Sequence, residues 1–207
     1  MASLKPSHKT STTPPRNMSA TRLHLLGASG SGVTTLGTNL SRALSIPVFD
    51  VDEYYWILTD PPFTAKRSIP ERISILKPLL ARAQEEHGGW ILAGSMCGWI
   101  AEFMEDIEHV IFVDLPTEVR MSRLKERESK RHGDRIKEGG DMYDESIAFI
   151  KWAERYEDPT LDEGRSRRMH EEFLKGLKVP ITRLEGDKTE SEMMEGALKG
   201  LGGEIRK

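Results

Sequence analysis

From residue 21 onward, short apolar runs alternate with longer segments in which apolar residues recur every three or four positions. The short runs predict buried strands, and the longer spacing predicts amphipathic helices. This alternation is typical of β-α-β units, which build a parallel sheet. The predicted strands are Arg22–Leu26, Pro47–Val51, Trp90–Ala93, Val110–Asp114 and Ile181–Leu184.

Helical spacing lies between and after these strands, whereas glycine and polar residues between 132 and 144 predict a loop. We therefore expect a three-layer α/β/α sandwich around a parallel sheet of about five strands, formed by residues 21–207, with a small arginine-rich lid at about 120–145. The predicted helices are Thr34–Leu44, Ile73–Gln84, Thr117–Arg131, 145–156 and a last helix from about residue 190.

Composition narrows the class of protein. Residues 1–20 are rich in Ser, Thr and Pro, which predicts a disordered tail. Because no acidic residue precedes Asp50, an organellar targeting peptide is the alternative, but the tail is poor in arginine. A single cysteine fits a reducing compartment, so a cytoplasmic location is expected. A net charge of −3 and the lack of a long apolar run predict neither nucleic acid nor membrane as a partner.

A glycine-rich loop joins the first predicted strand to the first predicted helix. Residues 27–35 read GASGSGVTT, which fits the phosphate-binding pattern G-x-x-x-x-G-K-[ST] except that Val33 replaces the lysine. Backbone N–H groups of such a loop and of the following helix bind phosphate, and the hydroxyl of Thr34 would bind Mg²⁺. The predicted nucleotide contacts are Gly27, Ser29, Gly30, Ser31, Gly32, Val33, Thr34 and Thr35.

The same loop also fits a dinucleotide-binding fold. Asp50 and Asp52 lie about 20 residues further on, where an acidic residue would bind the ribose. A short-chain dehydrogenase would need a Tyr-x-x-x-Lys pair, and none of the four tyrosines has a lysine four residues on. The phosphate-binding loop is therefore preferred, and a dinucleotide-binding oxidoreductase remains an alternative.

Next to a phosphate-binding loop, the two acidic residues would have a different role. Two positions apart at a strand end, Asp50 and Asp52 would share one side. Asp50 could then hold Mg²⁺ while Asp52 orients or deprotonates an attacking hydroxyl. The structural alternative is that one or both start a turn or cap a helix.

Two further groups of residues are predicted to contact the acceptor. Tyr55 and Trp56 follow the acidic pair and would wall a pocket, or else seal the edge of the sheet. Gly94 and Ser95 follow the third predicted strand, at the edge where ligands of parallel sheets bind, or else they form a tight turn.

Positive charge is concentrated in residues 119–137. This segment holds eight basic and three acidic side chains, a net charge of +5 in an acidic protein. A solvated helix face usually mixes the two signs more evenly, so the excess favours phosphate as a ligand. RNA is disfavoured, because the segment contains no aromatic residue.

This part of the chain resembles the nucleoside-monophosphate kinases and related small-molecule kinases. In Val110–Asp134, an apolar strand precedes a helix with the pattern R-L-x-x-R, at Arg123 and Arg127, and an arginine-bearing region that contains Arg131. The resemblance implies the P-loop NTPase fold, ATP and Mg²⁺, and a catalytic role for the three arginines. It also implies that the turn at 184–187 cradles the adenine, with Asp187 as a contact.

The residues expected to contact the phosphate acceptor match these kinases only in part. Adenylate kinases carry Asp-Gly-Phe-Pro-Arg after the third strand, whereas residues 93–99 read AGSMCGW. That difference counts against a nucleoside monophosphate as the acceptor. The Asp50-Val51-Asp52 sequence looks more like the Asp-x-Asp of shikimate kinase. We expect a phosphotransferase that moves the γ-phosphate of ATP to a small acceptor, the alternative being a nucleotide-binding protein that lost catalysis with its lysine.

Overall fold

The computed structural model of the protein describes residues 21–161 and 165–202. Its centre is a sheet of five parallel strands in the order β2-β3-β1-β4-β5. The first strand therefore lies in the middle, and the loop that follows it opens near the centre of one sheet edge. The strands are β1 (Arg22–Gly27), β2 (Val48–Asp50), β3 (Trp90–Ala93), β4 (His109–Asp114) and β5 (Ile181–Glu185).

Seven α-helices connect and cover these strands in the described residues, together with short 3₁₀ helices at Ile100–Phe103, Gly133–Ile136 and Arg155–Glu157. None of the described helices is long and apolar enough to cross a membrane. The α-helices are α1 (Val33–Leu44), α2 (Val51–Tyr55), α3 (Ile69–His87), α4 (Thr117–His132), α5 (Tyr143–Glu154), α6 (Arg167–Lys175) and α7 (Glu190–Gly200).

The sheet is buried on both faces, and alternate residues of each strand pack against different helices. On β3, Ile91 and Ala93 belong to the core shared with α1 and α7. Trp90 and Leu92 belong to the opposite core, which includes residues of α3 and α6. The predicted three-layer α/β/α sandwich with a five-stranded parallel sheet is confirmed.

Several boundaries differ from the prediction. Strand β2 ends at Asp50, and the next residues form helix α2, so the prediction of a strand through Val51 was wrong. Helix α3 begins earlier than predicted, because Ser68 and Glu71 form a reciprocal capping box. Helix α6 was not predicted, and part of the predicted 132–144 loop is a 3₁₀ helix.

Helices α4 and α5 pack on each other through a small core of their own, formed by Met121, Leu124 and Ala153 with partly buried aromatic residues. This pair includes most of the predicted lid, whose boundaries stay a prediction, as does the assignment of residues 21–207 to one domain. The predicted tail, residues 1–20, lies outside the described residues.

Candidate active site

A wide cleft opens at the carboxyl ends of the parallel strands. Its walls come from the β1–α1 loop, α2, the segment after β3, α4 and the β5–α7 turn. Ligands of open parallel sheets bind at this edge. The topology thus brings together most of the residues that the sequence singled out.

The start of helix α1 is built to receive an anion. Its N-cap residue is Gly32, with φ of 95°, and no side chain caps the helix or places an acid in its first turn. The first intrahelical bond runs from the N–H of Leu36 to the carbonyl of Gly32, at 2.9 Å. The N–H groups of the preceding three residues are therefore left for a ligand. By contrast, α3 and α7 each have a complete capping box.

Packing explains why the loop needs glycine at two of its positions. A Cβ on Gly27 would lie 2.5 Å from Ser31 Oγ and 2.6 Å from the carbonyl oxygen of Val113. Gly30 has φ of +84°, and a Cβ there would lie 2.8 Å from the carbonyl oxygen of Arg120. Ser31 Oγ is buried and has no hydrogen-bond partner within the described residues. The loop therefore offers an unpaired hydroxyl besides its N–H groups, which fits a phosphate ligand.

Beneath this loop lies a fully buried arginine. Arg120 is 0% exposed, and its Nη1 donates to the carbonyl oxygens of Ser29, at 3.2 Å, and Ala153, at 3.3 Å. Its Nη2 donates to Thr117 Oγ1 at 3.2 Å. One guanidinium therefore ties the loop to the start of α4 and the end of α5.

Val33, which stands where the lysine of the pattern would be, packs into the core. It is 8% exposed and packs with Leu23, Leu36 and Leu40. All the other predicted loop contacts line the cleft as well. The phosphate-binding loop is thus intact as a backbone cradle and has no cation of its own at this position.

Asp50 lies next to Thr34, as a shared metal site would require. Thr34 Oγ1 donates to Asp50 Oδ2 at 3.2 Å, and the N–H of Asp52 donates to Asp50 Oδ1 at 3.0 Å. Burial raises the pKa of the Asp50 carboxyl, and the charge of Asp52 acts in the same direction, against the hydrogen bonds from Asp52 N–H and Thr34. Mg²⁺ commonly binds through one or two protein oxygens together with phosphate and water. Thr34 and Asp50 fit that role, and the described residues hold no cluster of three His, Cys, Asp or Glu that would form an all-protein metal site.

The predicted geometry of the acidic pair was wrong in one respect. Asp50 is the N-cap of α2 and Asp52 is in the first turn of that helix, so they do not share one side of a strand end. A five-residue helix is too short to give a periodic signal, which is why the sequence did not reveal it. Both carboxylates nevertheless line the cleft.

Asp52 has a partner that the sequence reasoning missed. Arg165 Nη2 donates to Asp52 Oδ1 at 2.5 Å, and the Arg165 side chain is 21% exposed. Arg165 also lines the cleft and is close enough to Asp50 to lower that residue's pKa. Arg165 lies just before α6 in the run RSRR (165–168), which matches none of the motifs considered, so the sequence did not single it out.

The predicted acceptor contacts after β3 also line the cleft, and buried histidines hold them in place. His24 Nε2 lies 2.9 Å from the carbonyl oxygen of Gly94, and His170 Nε2 lies 3.0 Å from Ser95 Oγ. Cys97 lines the cleft beside them, and burial raises the pKa of its thiol.

Residues 56–67 form a flap that overhangs the cleft. Trp56 pairs with Lys66 across the flap, and the N–H of Ile57 donates to the carbonyl of Ala65 at 2.9 Å. Tyr55 and Trp56, predicted to wall the acceptor pocket, line the cleft at the base of this flap, in edge contact with each other.

The flap is tied to the lid side of the cleft. Arg135 Nη2 donates to Asp60 of the flap at 2.6 Å and to Asp141 at 2.6 Å. This ion pair bridges the two walls of the cleft.

The three arginines predicted to be catalytic all lie on α4 and line the cleft. Arg123 Nη1 donates to the carbonyl oxygen of Gly186 at 3.1 Å, and Arg127 pairs with Glu128 at 2.9 Å. Arg131 is exposed and has no hydrogen bond or ion pair within the described residues. Asp187 is exposed and does not line the cleft, whereas the neighbouring Gly186 does.

Comparison with known proteins agrees with this geometry. A protein-family model described as AAA domain matches residues 24–148. The chain is 37% identical over 179 residues to the uncharacterized protein YqaC of Bacillus subtilis (strain 168), covering 86% of this chain and 96% of that protein. It is 32% identical over 115 residues to shikimate kinase of Aquifex aeolicus (strain VF5), covering 53% of this chain and 68% of the kinase.

Among solved structures, shikimate kinase from Bacteroides thetaiotaomicron superimposes with a TM-score of 0.51 at 20% sequence identity, covering 89% of this chain and 99% of that one. This likeness shows the fold alone, the P-loop kinase fold. The predicted resemblance to the P-loop small-molecule kinases is confirmed, and with it the preference over a dinucleotide-binding fold.

Proposed function

We propose that this chain, which belongs to the AAA domain family and has the P-loop kinase fold, transfers the γ-phosphate of ATP to the hydroxyl of a small metabolite. The bound ATP would supply the phosphoryl group, and Mg²⁺ would supply part of the positive charge that neutralises it. The chain's own residues bind the nucleotide, orient the acceptor and exclude water.

One observation carries the proposal: two complementary half-sites face the same cleft. The uncapped start of α1 carries Thr34, whose Oγ1 lies 3.2 Å from Asp50 Oδ2. Next to Asp50, the carboxylate of Asp52 is held by Arg165 at 2.5 Å. An anion cradle with a metal-type oxygen pair next to an oriented carboxylate is the arrangement that phosphotransfer to a hydroxyl requires.

Asp52 is the proposed catalytic base. Its carboxylate would accept the proton of the acceptor hydroxyl, and Arg165 would hold it in the orientation seen here. Loss of a general base typically lowers the rate roughly 10²–10⁴-fold. Asp52→Asn should therefore reduce kcat within that range and leave nucleotide affinity nearly unchanged, because Asp52 lies on the acceptor side.

The positive charge that the loop lacks at Val33 is proposed to come from α4. Arg123, Arg127 and Arg131 line the cleft on one helix. Of these, the Arg131 side chain has no hydrogen bond or ion pair within the described residues. Arg127 would have to break its ion pair with Glu128 before it could bind phosphate. Removal of either should lower kcat more than nucleotide affinity, since such contacts strengthen in the transition state. In the same measurements, Val33→Lys should tighten ATP binding and lower the stability of the free protein, because it places a charge where a valine is buried.

The acceptor is proposed to be a small hydroxylated molecule rather than a nucleoside monophosphate. Tyr55 and Trp56 offer an aromatic wall, and Gly94 with Ser95 offers hydrogen-bonding groups. The relative that is 32% identical is a shikimate kinase. Shikimate and other hydroxy acids therefore head the panel of acceptors to be tested, followed by sugars, polyols and nucleoside monophosphates.

The experiment has two steps. The first is a thermal-shift comparison of ATP and GTP, with and without Mg²⁺, against NAD(H) and NADP(H); a ligand at 100 times its Kd adds about 2.7 kcal/mol of stability. The second measures transfer of labelled γ-phosphate from the bound triphosphate to each acceptor of the panel, with Asp52→Asn as the inactive control. Stabilisation by dinucleotides alone would overturn the proposal.

A second candidate function is favoured by the missing lysine. Because Val33 leaves the loop without its usual cation, the protein could bind nucleotide and not transfer phosphate. Tight binding of ATP with Mg²⁺, together with no phosphorylated product from any acceptor, would establish this alternative.

A further inference from the structure

A chain of three buried side chains ends at the wall of the cleft. His170 Nδ1 lies 2.9 Å from the hydroxyl oxygen of Tyr156, and His170 Nε2 lies 3.0 Å from Ser95 Oγ. The exposed fractions of Ser95, Tyr156 and His170 are 4%, 3% and 0%. Of the three, Ser95 alone lines the cleft. The other two belong to α6 and to the 3₁₀ helix before it.

Burial keeps the imidazole of His170 neutral. It lowers the pKa of His170 to about 3, and the nearby charge of Arg165 acts in the same direction. A neutral imidazole has one N–H donor and one nitrogen acceptor, so its two hydrogen bonds must run in opposite senses.

The hydrogen bond with Tyr156 determines which ring nitrogen of His170 is the donor. Within the described residues, the only hydrogen-bond partner of the Tyr156 hydroxyl is His170 Nδ1. A buried hydroxyl proton without an acceptor is unfavourable, so Tyr156 donates its proton to Nδ1. The imidazole proton must then be on Nε2, which donates to Ser95 Oγ. Because His170 occupies a lone pair of Ser95 Oγ as the donor, the serine proton has to point elsewhere.

One neighbour of the Ser95 hydroxyl is a weak acceptor. The Cys97 thiol lies beside it: burial raises the pKa of this thiol, and the hydroxyl of Ser95 opposes that rise, as a donor to sulfur does. Sulfur accepts hydrogen bonds poorly. An oxygen atom that entered the cleft would therefore be a better partner for the Ser95 proton than the thiol.

We propose that Tyr156 and His170 are positioning residues that present the Ser95 hydroxyl to the cleft as a hydrogen-bond donor, so that the site selects an acceptor molecule with a hydroxyl, carbonyl or carboxylate oxygen at that point. The proposal rests on the proposed function, since the molecule selected is the phosphate acceptor. His24 supports the arrangement from the other side, because it lies 2.9 Å from the carbonyl oxygen of Gly94 and holds the backbone that carries Ser95.

The first test needs neither nucleotide nor acceptor. Two-bond ¹H–¹⁵N correlation spectra of the full-length protein labelled at histidine report which ring nitrogen carries the proton. The signals of His170 are assigned by their loss in His170→Gln. We expect the proton on Nε2, and a proton on Nδ1 would overturn the proposal.

The second test uses the two amides that match the two ends of the imidazole. In His170→Gln the side-chain amide nitrogen reaches the place of Nε2 and can still donate to Ser95, whereas in His170→Asn it reaches only the place of Nδ1. Loss of a neutral hydrogen bond of about 0.5–1.5 kcal/mol corresponds to roughly a 2- to 10-fold change in an equilibrium constant. For the acceptor phosphorylated in the panel above, KM should rise by about that factor in His170→Asn and change less than about 2-fold in His170→Gln.

The KM for ATP and kcat should change little in both variants, because the chain of hydrogen bonds ends at the acceptor. The matched control is His109→Gln: His109 is also buried and bonded to a hydroxyl, that of Thr182 at 2.8 Å, but this hydroxyl, unlike that of Ser95, does not line the cleft. This control should leave the KM for both substrates unchanged.

A double-mutant cycle separates positioning from general packing. In a Ser95→Ala background there is no hydroxyl left to orient, so His170→Asn should have no further effect on the KM for the acceptor. An undiminished effect in that background, or equal KM values for the Asn and Gln variants, would overturn the proposal. If no acceptor in the panel is phosphorylated, the proposed function fails, and the spectra alone then support or overturn the hydrogen-bond order.

Discussion

Acid should unfold this protein through two histidines behind the cleft. His24 and His170 are 1% and 0% exposed. Burial lowers the pKa of His24 to about 4 and that of His170 to about 3. In the unfolded chain both imidazoles have a pKa of about 6.5. Between these values the unfolded chain binds two protons that the folded protein does not.

The sign and size of the effect follow from this difference. Because the unfolded state binds more protons below pH 6.5, the free energy of unfolding falls as the pH falls. The contribution of each imidazole is complete above pH 6.5 and is lost as the pH drops toward its folded pKa. At about 1.4 kcal/mol per pKa unit, each loss at pH 4.5 is about 2 to 3 kcal/mol, or about 5 kcal/mol together. Since single domains are stable by roughly 5–15 kcal/mol in total, the native state should be marginal near that pH.

Urea unfolding at about pH 8, 6.5 and 4.5 measures this directly. His24→Gln and His170→Gln should each be less stable than the wild type at pH 8, yet each should lose about 2 to 3 kcal/mol less on acidification. His87→Gln is the control, because His87 is exposed at the end of α3. If the buried-site variants lose as much stability as the wild type between pH 8 and 4.5, then the two imidazoles are not held neutral by burial, and the reasoning is refuted.

Two further predictions concern the loop and the flap. Gly30→Ala combines left-handed strain with a contact of 2.8 Å to the carbonyl oxygen of Arg120, whereas Gly88→Ala has strain alone, with φ of +73° and nothing within 4 Å. Gly88→Ala should cost about 1–2 kcal/mol in urea unfolding, and Gly30→Ala should cost more and also weaken ATP binding; equal costs would contradict the packing argument. Arg135→Ala breaks the bridge to Asp60, so the flap should be cleaved faster by chymotrypsin while Tm changes little. Unchanged cleavage would show that this ion pair does not hold the flap.

The inner part of the sheet could be predicted because β3 and β4 are buried on both faces and appear as nearly continuous apolar runs. The phosphate-binding loop could be predicted because glycine is required where the backbone is left-handed or closely packed, as at Gly30. The sequence therefore identified the carboxyl edge of the sheet and many, though not all, of the residues that line it.

The features that the sequence did not reveal involve polar side chains that are buried or paired with distant residues. Helix α6 is only nine residues long and buries His170 and Leu174 within an otherwise charged segment, so it has few apolar positions from which a helix could be predicted. The hydrogen bonds of His170 to Tyr156 and Ser95 join distant parts of the chain, and no local pattern announces them. Arg165 is recognisable only by its contact with Asp52.

The buried guanidinium of Arg120 has a consequence for hydrogen exchange. This one group donates to the loop at Ser29, to α4 at Thr117 and to α5 at Ala153. If any of the three moved away, the buried charge of Arg120 would lose a hydrogen-bond partner. Local opening should therefore not occur loop by loop: amides at the ends of these elements should exchange together, as one cooperative unit. A nucleotide that binds to the glycine loop would then also slow exchange at the end of α5, where Ala153 itself does not line the cleft.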